Sequence, residues 1–389
     1  MKPVADCENS ISISRRSFLK AGAILSFAAL PELALGQAAS DNRLLVILLR
    51  GGMDGLFAMP PVGDKSLQGL RRNLRPDGLL KLDGFFALHP TLKNIHRIYQ
   101  EGQALLVHGT SLPYTGRSHF EGQDIMESGI MRPYASASGW LGRALEVSGL
   151  SAALTMTLPV PLVLRGKRYV DTYYPTWIRD MPKAAYRKLM PVWAVDPDLA
   201  DFARQLTDEI DKPKLSSGRL PGADNSISDL ALSAAIRLRE IGGPRVAVLD
   251  HVGFDTHSSQ TGQHADRLRD VDRAIDVFQR AIGPVWRDTL VVTVTEFGRT
   301  AAENGSWGTD HGWGTSIFVL GGKLKKGGVV ADWPGLKKNS LFEGRDLKAT
   351  IDARSLYGHI VSTAFNIEAD RVQKEVLDFE PLHRFDEYV

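Results

Sequence analysis

The strongest constraint on this chain is a set of continuous apolar runs, each closed by a loop of glycines and ionisable residues. Leu44-Leu45-Val46-Ile47-Leu48-Leu49 ends in Gly51-Gly52-Met53-Asp54-Gly55. Arg245-Val246-Ala247-Val248-Leu249-Asp250 leads to Gly253-Phe254-Asp255-Thr256-His257, and Leu290 to Thr295 leads to Glu296-Phe297-Gly298-Arg299-Thr300. Apolarity without alternation marks strands buried on both faces, as at the centre of a parallel sheet. The fold class that follows is α/β. In such a sheet ligands sit outside the carboxyl ends of the strands. The glycine-rich loops are therefore where chemistry is expected, above all between Asp250 and Trp313.

Further strands are predicted at Ala104–His108, Val160–Leu164, Ser316–Leu320 and Val329–Asp332. Helices are predicted over Leu92–Gln100, from Ser118 to about Ser128, and over Trp140–Val147, Pro197–Asp211, Ser226–Glu240, Arg267–Ile282 and Asp352–Phe365. Between Tyr169 and Trp193, aromatics and prolines cluster in an irregular insertion that either covers a site or packs on the sheet. The last dozen residues read as a surface tail.

The 389 residues are 43% hydrophobic and 24% charged, an ordinary globular composition. Lys+Arg 47 against Asp+Glu 45 implies no polyanionic partner, and no basic stripe carries interleaved aromatics, which argues against nucleic acid. Ser14-Arg15-Arg16-Ser17-Phe18-Leu19-Lys20 has the form of a twin-arginine export signal. The apolar stretch Ala21–Leu30 follows it, with small-residue exits around residues 34–36 or 36–38. The expected arrangement is a removed signal over 1–38 and a single domain over 39–389. The partner is then the export machinery, and the destination the periplasm or the exterior. The apolar run is too short for a stable anchor after processing. Processing removes four positive and three negative charges, so the formal +2 falls to +1. It also removes Cys7, the only cysteine, which leaves oxygen and imidazole nitrogen to hold any metal.

Four loops carry the candidate residues. Asp54, at the end of the first run, is either a metal ligand or a turn aspartate capping its own backbone. Arg117-Ser118-His119 precedes a helix. Ser118 there is either an N-cap forming a capping box with Glu121 or a nucleophile at a helix N-terminus, where anions bind. Asp255 and His257 are two apart and face one way in extended chain, which suits a divalent ion. Glu296, beside Arg299, is a metal carboxylate or half of an ion pair. Of Asp310 and His311, one faces the site and the other holds it from behind.

Together Leu48–Leu56 (L-L-R-G-G-M-D-G-L), Arg117–Phe120 (R-S-H-F), Gly253–His257 (G-F-D-T-H), Thr295–Thr300 (T-E-F-G-R-T) and Gly308–Gly314 (G-T-D-H-G-W-G) resemble the export-tagged bacterial family called domain of unknown function 1501. That family is grouped with the alkaline phosphatase and sulfatase superfamily. The resemblance implies an alkaline-phosphatase-like, mostly parallel sheet sandwiched by helices. It also implies a divalent metal, zinc, magnesium or calcium, and an anionic ester substrate. By the same resemblance Asp54, Asp255, His257, Glu296 and His311 fall at metal positions, joined in the candidate set by His119 and Asp310. Ser118 falls at the nucleophile position, with Arg117 and Arg299 neutralising developing charge. Phe297 stands where a ligand histidine is common. The expected function is an exported metal-dependent hydrolase of phosphate or sulfate esters; the alternative is an exported binding or assembly protein that keeps the fold and a structural ion.

Overall fold

A computed structural model describes residues 41–150, 153–157, 159–168, 170–173, 183–195, 226–379 and 385–389. The twin-arginine stretch, Cys7, the helix expected over 197–211 and residues 174–182 of the aromatic insertion lie outside the described residues. The chain divides into two compact units. One comprises 34–174 with 223–389 and contains every strand described here; the other comprises 1–33 with 175–222 and contains the described helix Lys183–Ala194, with Pro191 inside it.

Eleven strands are described: β1 Arg43–Arg50, β2 Leu80–Lys81, β3 Ala87–Leu88, β4 Ala104–Ser111, β5 Ala153–Thr155, β6 Val170–Thr172, β7 Val246–Val252, β8 Thr289–Val294, β9 Thr315–Leu320, β10 Gly328–Ala331 and β11 Ile351–Asp352. Strands β2 and β3 form a small antiparallel ladder. The others form one sheet in the order β10-β4-β9-β8-β1-β7-β5-β6, with β11 also paired to β4. All of its pairings are parallel except those of β9, which runs antiparallel to both β4 and β8. The sheet is thus mostly parallel, as the apolar runs predicted.

The continuous apolarity of β1 has its expected cause. Leu44, Val46 and Leu48 point into one buried cluster, and Leu45, Ile47 and Leu49 into another on the opposite face. The first cluster is closed by the helices Trp140–Ser148 and Ala353–Phe365, the second by Lys93–Gln100, Ile227–Arg239 and Gln260–Ile282. With helices on both faces, each large aliphatic side chain of β1 loses its water, worth ~1.5–3 kcal/mol per side chain.

Three local expectations need correction. No strand forms at Val160–Leu164; Leu162–Leu164 is a short 3-10 turn following Pro161, since prolines at 159 and 161 withhold ladder donors. The helix expected from Arg267 begins at Gln260, and its first turns bury the polar Gln260 and His264 beside Ala265. The C-terminal residues are no free tail. Phe385 and Val389 are buried, and Lys325 Nζ donates to the carbonyls of Asp386 (3.0 Å) and Val389 (2.8 Å).

Candidate metal centre

Topology brings the scattered loops to one edge. Strands β8, β1 and β7 are adjacent and parallel, so the loops carrying Glu296–Arg299, Gly51–Asp54 and Asp255–His257 leave the same end of the sheet. The chain after β4 delivers Arg117–His119 to that end. His311 precedes β9, and because β9 is antiparallel its start lies where its neighbours finish. A ribbon tightens the arrangement: Thr300 N donates to Asp310 O, Gly312 N to Gly298 O, and Gly298 N to Trp313 O, each at 2.9 Å.

His119, Asp255 and His311 each bring one ligand atom to within 4.8 Å of the others. His119 Nε2 lies 3.0 Å from His311 Nε2 and 3.4 Å from Asp255 Oδ2, and His311 Nε2 lies 3.2 Å from Asp255 Oδ1. His257 adjoins them, its Nε2 being 3.0 Å from His311 Nε2 and 2.9 Å from Asp255 Oδ1. A tetrahedron with bonds of ~2.0–2.1 Å has edges of about 3.3–3.4 Å, so this spacing suits one small ion.

The other ring nitrogens decide the chemistry. His119 Nδ1 donates to Glu296 Oε1 at 2.8 Å, His311 Nδ1 to the carbonyl of Arg117 at 2.8 Å, and His257 Nδ1 to Asp310 Oδ1 at 3.0 Å. Each partner is an acceptor, so each Nδ1 carries a hydrogen and each ring turns its Nε2 inward. Two of the rings face the third, His311, at contact distance. Burial first, and then the neighbouring charge of Arg299, hold His311 below the ordinary histidine value, which disfavours a proton shared across both contacts. A cation relieves both. The donor set fits a divalent ion.

A buried layer fixes these ligands. Glu296, fully buried, also accepts from Gly51 N (2.8 Å), Gln123 Nε2 (3.1 Å) and Thr295 Oγ1 (3.0 Å). Burial opposes its ionisation, but these bonds and that to His119 outweigh burial and hold the carboxyl below its usual range. In return the Glu296 bond raises His119. Asp255 is likewise kept low: burial opposes ionisation and Arg299, at 2.6 Å, overcomes it. Phe297, also fully buried, packs against His119 and His311 at ring distances of 4.9 and 5.2 Å. Gly52, with φ +76°, makes that room, since a Cβ there would lie 2.9 Å from the Phe297 ring.

Several predicted residues stand elsewhere. Asp54 is outside the group: it caps the short helix Gly55–Ala58 through Phe57 N, and its carboxylate takes Arg71 Nη1 at 2.6 Å and Gln260 Nε2 at 2.5 Å. Its turn reading is the one realised. Glu296 and Asp310 support His119 and His257 from behind rather than joining the three-residue group. Arg117 is spent on Asp346 and Glu343, and Arg299 on Asp255, Gly51 O and Thr309, so neither guanidinium is free for a substrate. Ser118 is the N-cap of the helix His119–Ser128, without the capping box expected. Its side chain makes no cap bond, and Glu121 accepts from Tyr114 Oη at 2.7 Å instead.

Sequence reasoning passed over Arg71, Gln123, Gln260 and His264. His264 Nδ1 pairs with Thr256 Oγ1 at 3.1 Å while its Nε2 accepts from Asp54 N at 3.2 Å. The one available signal was polar residues sitting where an extended Gln260–Ile282 helix would place its buried stripe.

Residues 203–376 match the sequence family described as "Protein of unknown function (DUF1501)". That stretch is less than half of the chain. It supplies Asp255, His257, Glu296, Arg299, Asp310 and His311; His119 and Asp54 come from the first half of the chain, before the matched stretch. No curated protein matches the sequence. Solved structures that resemble this chain include a protein in the alkaline phosphatase superfamily from Vibrio parahaemolyticus, with 11% identity, TM-score 0.42, and coverage of 90% of this chain and 73% of that one. Phosphonate monoester hydrolase of Agrobacterium radiobacter has 12% identity, TM-score 0.40, and coverage of 89% and 79%. Alkaline phosphatase from the Antarctic bacterium TAB5 has 12% identity, TM-score 0.34, and coverage of 75% and 94%.

Proposed function

We propose that this chain is a metal-dependent hydrolase of phosphate or sulfate esters, exported through the twin-arginine pathway to the periplasm or beyond. One observation carries the metal half of the reading: imidazoles tied outward through Nδ1, with Nε2 lone pairs converging beside Asp255. His119, Asp255 and His311 would hold the ion, with His257 adjoining. A divalent ion held there would supply Lewis-acid chemistry, polarising an ester oxygen and lowering the pKa of a bound hydroxyl or water.

The chain's own residues support hydrolysis of an anionic ester in two ways. Ser118, adjacent to His119, has a hydroxyl not committed to capping. The helix His119–Ser128 begins beside it and turns its free N–H groups and positive dipole end toward that loop. Arg117 and Arg299 act by positioning: one supplies the carbonyl that orients His311, the other holds Asp255.

Elemental analysis of the purified protein, paired with a panel of aryl phosphates and sulfates, tests the reading. Bound metal is expected, with turnover of at least one ester class that falls by ~100-fold or more in Ser118→Ala, the scale of losing a group used in the transition state. Metal without turnover on any ester would instead favour an exported binding protein. Arg15→Lys with Arg16→Lys is expected to leave the protein in the cytoplasm; unchanged recovery from the periplasm would remove the twin-arginine claim.

A further inference from the structure

We infer that each chain holds a single divalent ion of the borderline transition class, zinc-like rather than magnesium- or calcium-like, and that Arg71 closes the neighbouring carboxylate Asp54 to a second ion. The inference rests on the metal reading above and adds identity class and stoichiometry to it.

Nitrogen is the majority donor. Two imidazoles and one carboxylate form the three-residue group, and the third imidazole, His257, lies 2.9–3.0 Å from two of its members. Magnesium and calcium take oxygen ligands, whereas imidazole suits zinc and its transition-metal neighbours. Among the described residues there is no cysteine, so no thiolate competes there.

Asp54 is saturated. Oδ1 accepts from Phe57 N and Arg71 Nη2, both at 3.2 Å, and Oδ2 accepts from Arg71 Nη1 and Gln260 Nε2. Those contacts use the roughly four acceptor positions a carboxylate has. Arg71 is equally committed, to Ala301 O and Thr300 O at 2.7 Å each. An ion entering here would strand a guanidinium that has no route to water, a cost of several kcal/mol.

The charges agree. Asp54 and Asp255 each have an arginine of their own. Among the described residues, Glu296 and Asp310, behind His119 and His257, have no arginine bonded to them. The two charges left over match the charge of one divalent ion.

The test is calorimetric titration of chelator-stripped protein with Zn²⁺, Mn²⁺, Mg²⁺ and Ca²⁺, followed by elemental analysis. One equivalent of Zn²⁺ is expected, with no displacement by millimolar Mg²⁺ or Ca²⁺. His311→Ala should weaken zinc by at least about 100-fold, since losing even a supporting group costs 10–100-fold. Asp54→Asn should still take one equivalent; the wild-type stoichiometry stands as the test if that variant fails to fold. Two equivalents in the wild type, or ready displacement by Mg²⁺ or Ca²⁺, would overturn the inference. Zinc bound once with no ester turned over would sink the hydrolase and leave this inference standing. Turnover with two ions bound would do the reverse, and no binding of any ion would end both.

Discussion

Asp54 meets Arg71 at 2.6 Å, and Asp255 meets Arg299 at the same distance. The two pairs belong to one polar chain, for Gln260 bonds Asp54 and Thr309 Oγ1, and Thr309 bonds Arg299. They differ in what remains open. Both members of the first pair are 1% exposed, whereas Arg299 is fully buried and the Asp255 side chain is 42% exposed. Burial decides the role. The Asp54 carboxylate spends both oxygens on the fold; Asp255 is anchored through Oδ1 and turns Oδ2 toward His119. An aspartate at a strand's carboxyl end becomes structural or reactive according to whether its second oxygen is covered.

The sharpest way to break this contrast is to remove the two arginines separately. Arg71→Met should cost ~3–5 kcal/mol in urea denaturation, because it leaves a buried charge unpaired, while zinc affinity stays within about threefold. Arg299→Met should do the opposite. Its stability loss is smaller, since Asp255 reaches water, but zinc binding should weaken by ~10–100-fold. Equal effects of the two on both measurements would erase the distinction.

Acid should reach the closed region next. His264, which accepts from Asp54 N, is pushed down to about 3 by burial, and His89, His108 and His251 to about 4, again chiefly by burial. These folded values lie below the ~6.5 of an unfolded histidine. The unfolded chain therefore takes up protons first as pH falls. Stability is complete above about pH 6.5 and declines toward pH 4, by up to ~1.4 kcal/mol per pH unit for each histidine. Urea midpoints that do not fall between pH 6.5 and 4.5 would contradict the neutral, buried state of these rings.

Smaller effects sharpen the open side. Glu296→Gln keeps the shape but weakens the acceptor behind His119, and zinc affinity should drop by ~10-fold, the low end of the range for a supporting group. Asp310→Asn acts on His257, which adjoins the group rather than belonging to it, so a change of about threefold to tenfold is expected in the same titration. If Asp310→Asn outweighs Glu296→Gln, the ion sits on the His257 side instead.

The sheet was legible because β1, β7 and β8 are apolar on both faces, a pattern that survives without knowledge of contacts. The loop positions of Asp255, after β7, and His311, before β9, were legible from the apolar runs beside them. The role of Glu296 was not: whether a carboxylate binds a metal or a ligand's Nδ1 depends on about one ring width of displacement, which spacing along a chain does not encode. Arg71 was invisible for a similar reason, since it lies 17 residues after Asp54 in a segment without periodicity. The antiparallel direction of β9 was hidden too, because its apolar run reads the same from either end. Phe385 and Val389 escaped notice because the apolar residues of the last dozen are interrupted by charged ones and follow no helical or strand period, so nothing announces that they are buried.

Arg117 sits at φ +57°, a left-handed backbone that disfavours a long side chain, and from there its carbonyl receives His311 Nδ1. The grip on that histidine is thus made by main chain, with the guanidinium's bonds to Asp346 and Glu343 clamping the turn in place. Replacing the side chain by alanine would leave the gripping atom where it was and change only how firmly the turn is held. Glycine and proline, which respectively loosen and forbid that turn, are the substitutions that would interrogate it, so a survey restricted to alanine would rate Arg117 a bystander.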